Sequence, residues 1–256
     1  MFKIVRIVIL LLILATVAQT AWLARARATA WEDTLYVGIY PIAADDSDQT
    51  KRYVEALKHD SFEKIEAFFD EEAKRHGLKL WKPVSIAAAP PLASKPPLPP
   101  REANAPQAIL WSLQLRWWAW RNDRIDGPKP AVRLFVLFHD PAISPRLSHS
   151  TGLERGMVGV IHAFATSSMA GSNASIIAHE LLHTLGATDK YDLATNLPNY
   201  PDGYAEPERS PRFPQDFAEI MGGRIPLSET EAETPRSLSQ VLIGEATARE
   251  IRWIKP

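Results

Sequence analysis

Four side chains are spaced so that they could act on one ion. They lie in the string His179-Glu180-Leu181-Leu182-His183-Thr184-Leu185-Gly186-Ala187-Thr188-Asp189. Residues four apart share a helix face, so His179 and His183 can turn both imidazoles toward the same point. Glu180 follows His179 directly and can reach a water held there. Neutral imidazoles suit Zn2+, and a catalytic zinc takes three protein ligands and keeps a fourth position open. Gly186, three residues past His183, can adopt positive φ, end the helix and turn the chain back. Asp189 then comes close enough to offer a carboxylate oxygen as the third ligand. Ile176, Ile177, Leu181, Leu182 and Leu185 already supply an apolar helix face, so the histidines are not needed as core.

The whole pattern, H-E-x-x-H-x-x-G-x-x-D, resembles the metzincin clan of zinc endopeptidases. The similarity is to the variant in which aspartate replaces the usual third histidine, as in snapalysin-like enzymes. Downstream, Ile220-Met221-Gly222-Gly223 is similar to that clan's Met-turn, which sets a methionine, here Met221, beneath the metal. The resemblance covers residues 157–223 directly and the rest only through the order of elements. It implies an α+β fold: a metzincin-like twisted mixed sheet, a long active-site helix and a C-terminal helix packed on it. It also implies that the strand ahead of the active-site helix is a sheet edge that pairs with extended substrate through its free N–H and C=O groups. The activity implied is zinc-dependent hydrolysis of a peptide or protein substrate. Zn2+ would sit on His179, His183 and Asp189 and acidify a water, and Glu180 would take the proton and pass it to the leaving amine. Tyr191, Tyr200 and Tyr204 could each donate a hydrogen bond to the developing oxyanion, and the sequence does not choose among them.

Two other readings compete. Glu206, Glu208 or Glu219 could supply the third ligand, as a later glutamate does in thermolysin-like enzymes, but those enzymes need neither Gly186 nor Met221 in these places. The chain could instead be a catalytically inactive, zinc-containing peptide-binding or structural envelope protein. An intact Glu180 speaks against that, since binding alone needs no base there.

The 256 residues suffice for one substantial core, read as a catalytic domain over 31–256 behind an N-terminal segment over 1–30. A net charge of −1 gives no electrostatic case for nucleic acid. With no cysteine there are no disulfides and no thiolate ligands. Residues 7–24 form an uncharged run of about 27 Å as a helix, behind Lys3 and Arg6, and read as an uncleaved signal-anchor. A cleaved signal ending near Ala28-Thr29-Ala30 is the alternative. Either way the expectation is a membrane-anchored or secreted protein with an extracytoplasmic domain.

The remaining elements must position the site. Leu35 to Pro41 reads as a strand, and Asp45, Asp46, Ser47 and Asp48 as a solvated loop capping the next helix. Residues 49–76 read as helix with a break near Asp60-Ser61; Phe62, Ile65, Phe68 and Phe69 recur at core spacing. Val84 to Ala89 suits a short strand. Residues 90–106, with seven prolines from Pro90 to Pro106, suit a stiff surface loop. Residues 107–121, carrying Trp111, Trp117, Trp118 and Trp120, alternate well enough for a strand, but their length favours a helix opened by Pro106. Val132 to Phe138 and Met157 to Thr166 read as buried strands. His162 reads as a strand residue and only weakly as a substrate contact, His139 and His149 as loop residues. Ser172 or Asn173 is the expected cap of the active-site helix. Tyr191 to Phe217 reads as a long loop over the site, and residues 240–254 as the closing helix.

Overall fold

The computed structural model describes residues 2–100, 104–147, 151–153 and 157–255. His149 lies outside them. The fold is mixed α and β, centred on a five-stranded sheet of order β2-β1-β3-β5-β4. Four strands run parallel: β1 (Leu35–Ala43), β2 (Val84–Ala88), β3 (Val132–His139) and β5 (Val158–Phe164). The short β4 (Thr151–Leu153) is antiparallel and pairs with Val158 to Val160 of β5.

Parallel strands need helical crossovers, which cover both faces of the sheet. In β3, Leu134, Val136 and Phe138 face one core with α2 (Asp48–Ala56), α3 (Glu63–Arg75) and α5 (Ala170–Leu185). Phe135 and Leu137 face a second core under α4 (Ala105–Arg121), through Leu115, Ala119 and Trp118. Burial on both faces explains why β3 is apolar at nearly every position. The 107–121 segment is therefore a helix, begun by an Asn104–Gln107 capping box with Pro106 in its first turn.

The helix expected over 49–76 divides at a 3-10 turn, His59–Phe62, close to the expected break. Ser47 caps α2 by accepting from the Thr50 N–H at 3.1 Å. Helix α5 begins earlier than expected, at Ala170, without a side-chain cap. Asn173 instead grips the end of β5, accepting from Phe164 N at 3.0 Å and donating to Phe164 O at 2.8 Å. His139 is the last residue of β3, not a loop residue. On its outer side the strand ahead of α5 is paired by β4 over Val158 to Val160, and at its end Asn173 takes up the backbone N–H and C=O of Phe164.

The closing helix is also shorter than expected. Val241–Leu242 forms a strand, β9, beside β6 (Ala218–Glu219), and helix α6 (Glu245–Glu250) starts only after Gly244. Two further short strands, β7 (Ile225–Pro226) and β8 (Ala232–Glu233), form a hairpin after the Met221 turn.

The N-terminal segment requires a correction. Residues Phe2–Ala28 form a helix, α1. Among the described residues, however, no helix is long and apolar enough to cross a membrane. The strongest apolar block, Ile7 to Leu14, covers about 12 Å of helix against roughly 30 Å of hydrocarbon. Thr16, Gln19 and Thr20 interrupt it, Arg25 and Arg27 follow, and the last turn belongs to the folded domain, with Ala28, Thr29 and Trp31 buried. The segment therefore does not form the transmembrane anchor expected of it.

Candidate metal centre

Helix α5 is fixed to the sheet by Ile177, Ala178, Leu181, Leu182 and Leu185, all buried. That packing sets the orientation of the face that carries His179, Glu180 and His183. Gly186 ends the helix at φ 105°, and Ala187 N donates back to Leu182 O at 3.0 Å, closing the last turn. The reversal brings Asp189 over both rings: its Oδ1 lies 3.3 Å from His179 Nε2 and 3.1 Å from His183 Nε2. Zinc bonds of about 2.1 Å at tetrahedral angles would space ligand atoms about 3.4 Å apart. Both histidine–aspartate pairs already stand close to that spacing.

The other ring nitrogens fix which atoms can bind. His179 Nδ1 lies 2.8 Å from Ile220 O, and His183 Nδ1 lies 2.9 Å from Ala187 O. A carbonyl oxygen can only accept, so each Nδ1 carries a proton and, in the neutral ring, each Nε2 offers its lone pair to the cluster. Such carbonyl partners hold metal-binding histidines in the correct tautomer and orientation. The residues present therefore fit a zinc ion.

Glu180 is buried, and its ligand atoms group with those of the two histidines within 4.8 Å. Its Oε2 is buried and, among the described residues, has no hydrogen-bond partner. Burial raises its pKa, and the nearby histidines offset only part of that rise. Asp189 goes the other way: burial opposes its charge, but hydrogen bonds and charge from His179 and His183 in their doubly protonated form more than offset this and hold its carboxyl well below the usual range.

Met221 is fully buried in a turn built around Glu219. The Glu219 carboxylate accepts from Met221 N at 2.7 Å, Gly222 N at 2.8 Å, Gly244 N at 3.0 Å and Thr247 Oγ1 at 2.7 Å. Gly223 takes φ 73° to complete the turn. The turn meets the site twice, through Ile220 O on His179 and through Met221 O, which accepts from Lys190 N at 2.8 Å.

The segment that presents Asp189 is clamped on both flanks by Glu250 at the end of α6. Its carboxylate accepts from Thr188 N at 3.0 Å, Thr188 Oγ1 at 2.7 Å and Lys190 Nζ at 2.7 Å. Sequence reasoning missed this clamp. Glu250 lies 62 positions from Thr188, and nothing local to either residue points to the other.

Of the three tyrosines, Tyr191 lines the cavity beside His179 and Glu180. Burial first, then the charges of Asp189 and Glu180, raise its pKa, so its hydroxyl stays protonated as a donor. Tyr200 and Tyr204 pack with each other and with Arg212 and Phe213 in the neighbouring loop, and neither lines the cavity. The competing glutamates are placed elsewhere. Glu219 is enclosed in the Met221 turn, Glu206 pairs with Arg209 at 3.0 Å, and Glu208 is exposed.

Compared with known proteins, the chain matches no family model and no curated protein sequence.

Proposed function

We propose that the chain is a zinc endopeptidase with a metzincin-like site. The observation that carries this reading is the convergence of His179 Nε2, His183 Nε2 and Asp189 Oδ1 while both Nδ1 atoms are held on backbone carbonyls. The Gly186 reversal and the buried Met221 turn, which meets His179 through Ile220 O, support the clan. When bound, zinc supplies Lewis acidity toward a carbonyl oxygen and lowers the pKa of a water that it holds.

The remaining chemistry belongs to side chains of this chain. Glu180, with an unpartnered oxygen and a raised proton affinity, accepts a proton from the attacking water and returns it to the leaving amine. Tyr191, at the cavity wall, donates toward the oxyanion that develops on the scissile carbonyl.

The test compares the wild-type chain with Glu180→Gln and Asp189→Ala for zinc content and for cleavage of a denatured, unbiased protein substrate. The expected pattern is one zinc in the wild type, zinc kept with cleavage lowered by at least about 100-fold in Glu180→Gln, and zinc weakened in Asp189→Ala. Absence of zinc from the wild-type chain would overturn the reading. Stoichiometric zinc with no cleavage of any substrate would favour a peptide-binding protein.

A further inference from the structure

The cavity beside His179 and Glu180 extends away from the donor cluster, between the first half of α5 and the chain that follows Met221. Its volume is about 290 Å³, at the lower limit of pockets that bury a whole small molecule and ample for one large side chain. Its wall is mainly apolar, with Leu147, Ile176, Ile220, Pro235 and Val241 contributing. Two charged residues line it beyond Glu180: Glu219 and Arg224. The Glu219 oxygens are taken up by the turn and by Thr247, so they offer little to a guest. Arg224 is half-buried, and among the described residues its guanidinium has no hydrogen-bond or ion-pair partner.

A guanidinium at an apolar cavity favours a guest with an aliphatic stem and an anionic end, which can form a paired, charge-assisted contact. We infer that this cavity receives a substrate side chain flanking the scissile bond, that it selects glutamate there, and that Arg224 is its specificity-determining residue. The inference rests on the endopeptidase reading for its role in cleavage. The cavity and its unpartnered cation are separate observations from the donor cluster. Glutamate fits better than aspartate because its longer stem covers more of the apolar wall before the carboxylate reaches Arg224.

The test uses the zinc-loaded full chain in two arms. In the first, a peptide mixture derived from unfolded proteins is cleaved and the residues on both sides of each cut are read by mass spectrometry. Glutamate should be enriched at one flanking position. Arg224→Gln should lower kcat/KM for a glutamate peptide by about tenfold or more, while changing that for the matched leucine peptide by less than about threefold. Arg224→Glu should shift the preference toward lysine and arginine. In the second arm, binding of the same peptides to zinc-loaded Glu180→Gln is measured, without turnover. Cleavage without glutamate enrichment, or enrichment that survives Arg224→Gln, would overturn the inference and leave the endopeptidase reading standing. Arg224-dependent binding of glutamate peptides without any cleavage would support the inference while the catalytic reading fails. Neither binding nor cleavage favouring glutamate would overturn it.

Discussion

Glu180 and Asp189 are two carboxylates of one site, and their surroundings drive their proton affinities apart. Asp189 is held ionised by the histidines, whereas Glu180 is raised by burial and keeps one oxygen unpartnered. A pair separated in this way divides the labour, one acting as a permanent anion and the other as a proton carrier. Tyr191 is the remaining polar group at this scale. Tyr191→Phe should lower kcat by about 10- to 100-fold with zinc content unchanged, and Tyr200→Phe should leave both unaltered; steady-state kinetics with metal analysis checks this. The convergence of His179, Glu180, His183 and Asp189 was legible because helix periodicity and one glycine turn place them, and both are local. The choice among the three tyrosines was not legible. It depends on how the loop after Asp189 folds back, which is decided by contacts such as Lys190 with Met221 O.

At the scale of elements, the site is assembled where α5 ends, and the reversal there is under two constraints. Gly186 needs positive φ, and a Cβ at that position would lie 2.0 Å from Arg25 Nη2 in α1. Gly186→Ala should therefore destabilise the protein by at least ~1–2 kcal/mol, the usual cost of a left-handed residue, before any displacement of Arg25 is added. Chemical denaturation measures it. The second constraint is the Glu250 clamp on Thr188 and Lys190. Glu250→Ala should weaken zinc affinity by about 10- to 100-fold, and Glu250→Gln by less, because an amide oxygen still accepts from Thr188. Competition against a chelating dye reads the affinity directly. Most elements were foreseeable from apolar periodicity. The exceptions have physical causes: Asn173 is used on Phe164 instead of as a cap, and Val241–Leu242 pairs with Ala218–Glu219 before the closing helix can begin. Both depend on partners distant in sequence.

At the scale of the molecule, the parallel register creates contacts that no local pattern announces. Pairing of Leu137 with His162 places His139 diagonally beside His162, and their rings meet with Nε2 and Nδ1 2.8 Å apart. Burial lowers both pKa values, and His139 lowers that of His162 further, to about 4 from 6.5. A depressed folded value means that the neutral ring is the one the fold holds. The associated stability is complete above pH 6.5 and is lost as the pH falls toward 4. Between those limits His162→Gln should lose less stability than the wild type, by on the order of 1–2 kcal/mol after allowance for the partly exposed ring. Denaturation curves at pH 7.5 and 4.5 give the difference.

The same long reach joins distant parts of the chain. Trp31 Nε1 donates to Ile251 O at 2.7 Å, and Trp31 packs edge-on to Trp253 at 5.6 Å. Glu250, one residue before Ile251, holds the segment carrying Asp189. In order of synthesis, both histidines, Glu180, Asp189 and Met221 all precede this clamp. A growing chain on the ribosome thus passes through a stage in which every reactive residue exists and the piece that locks Asp189 in place has not been made. On the reading proposed above, full zinc affinity, and with it full hydrolytic competence, comes only after translation has passed Glu250. The timing of assembly would then protect the nascent chain, and its neighbours, from being cut.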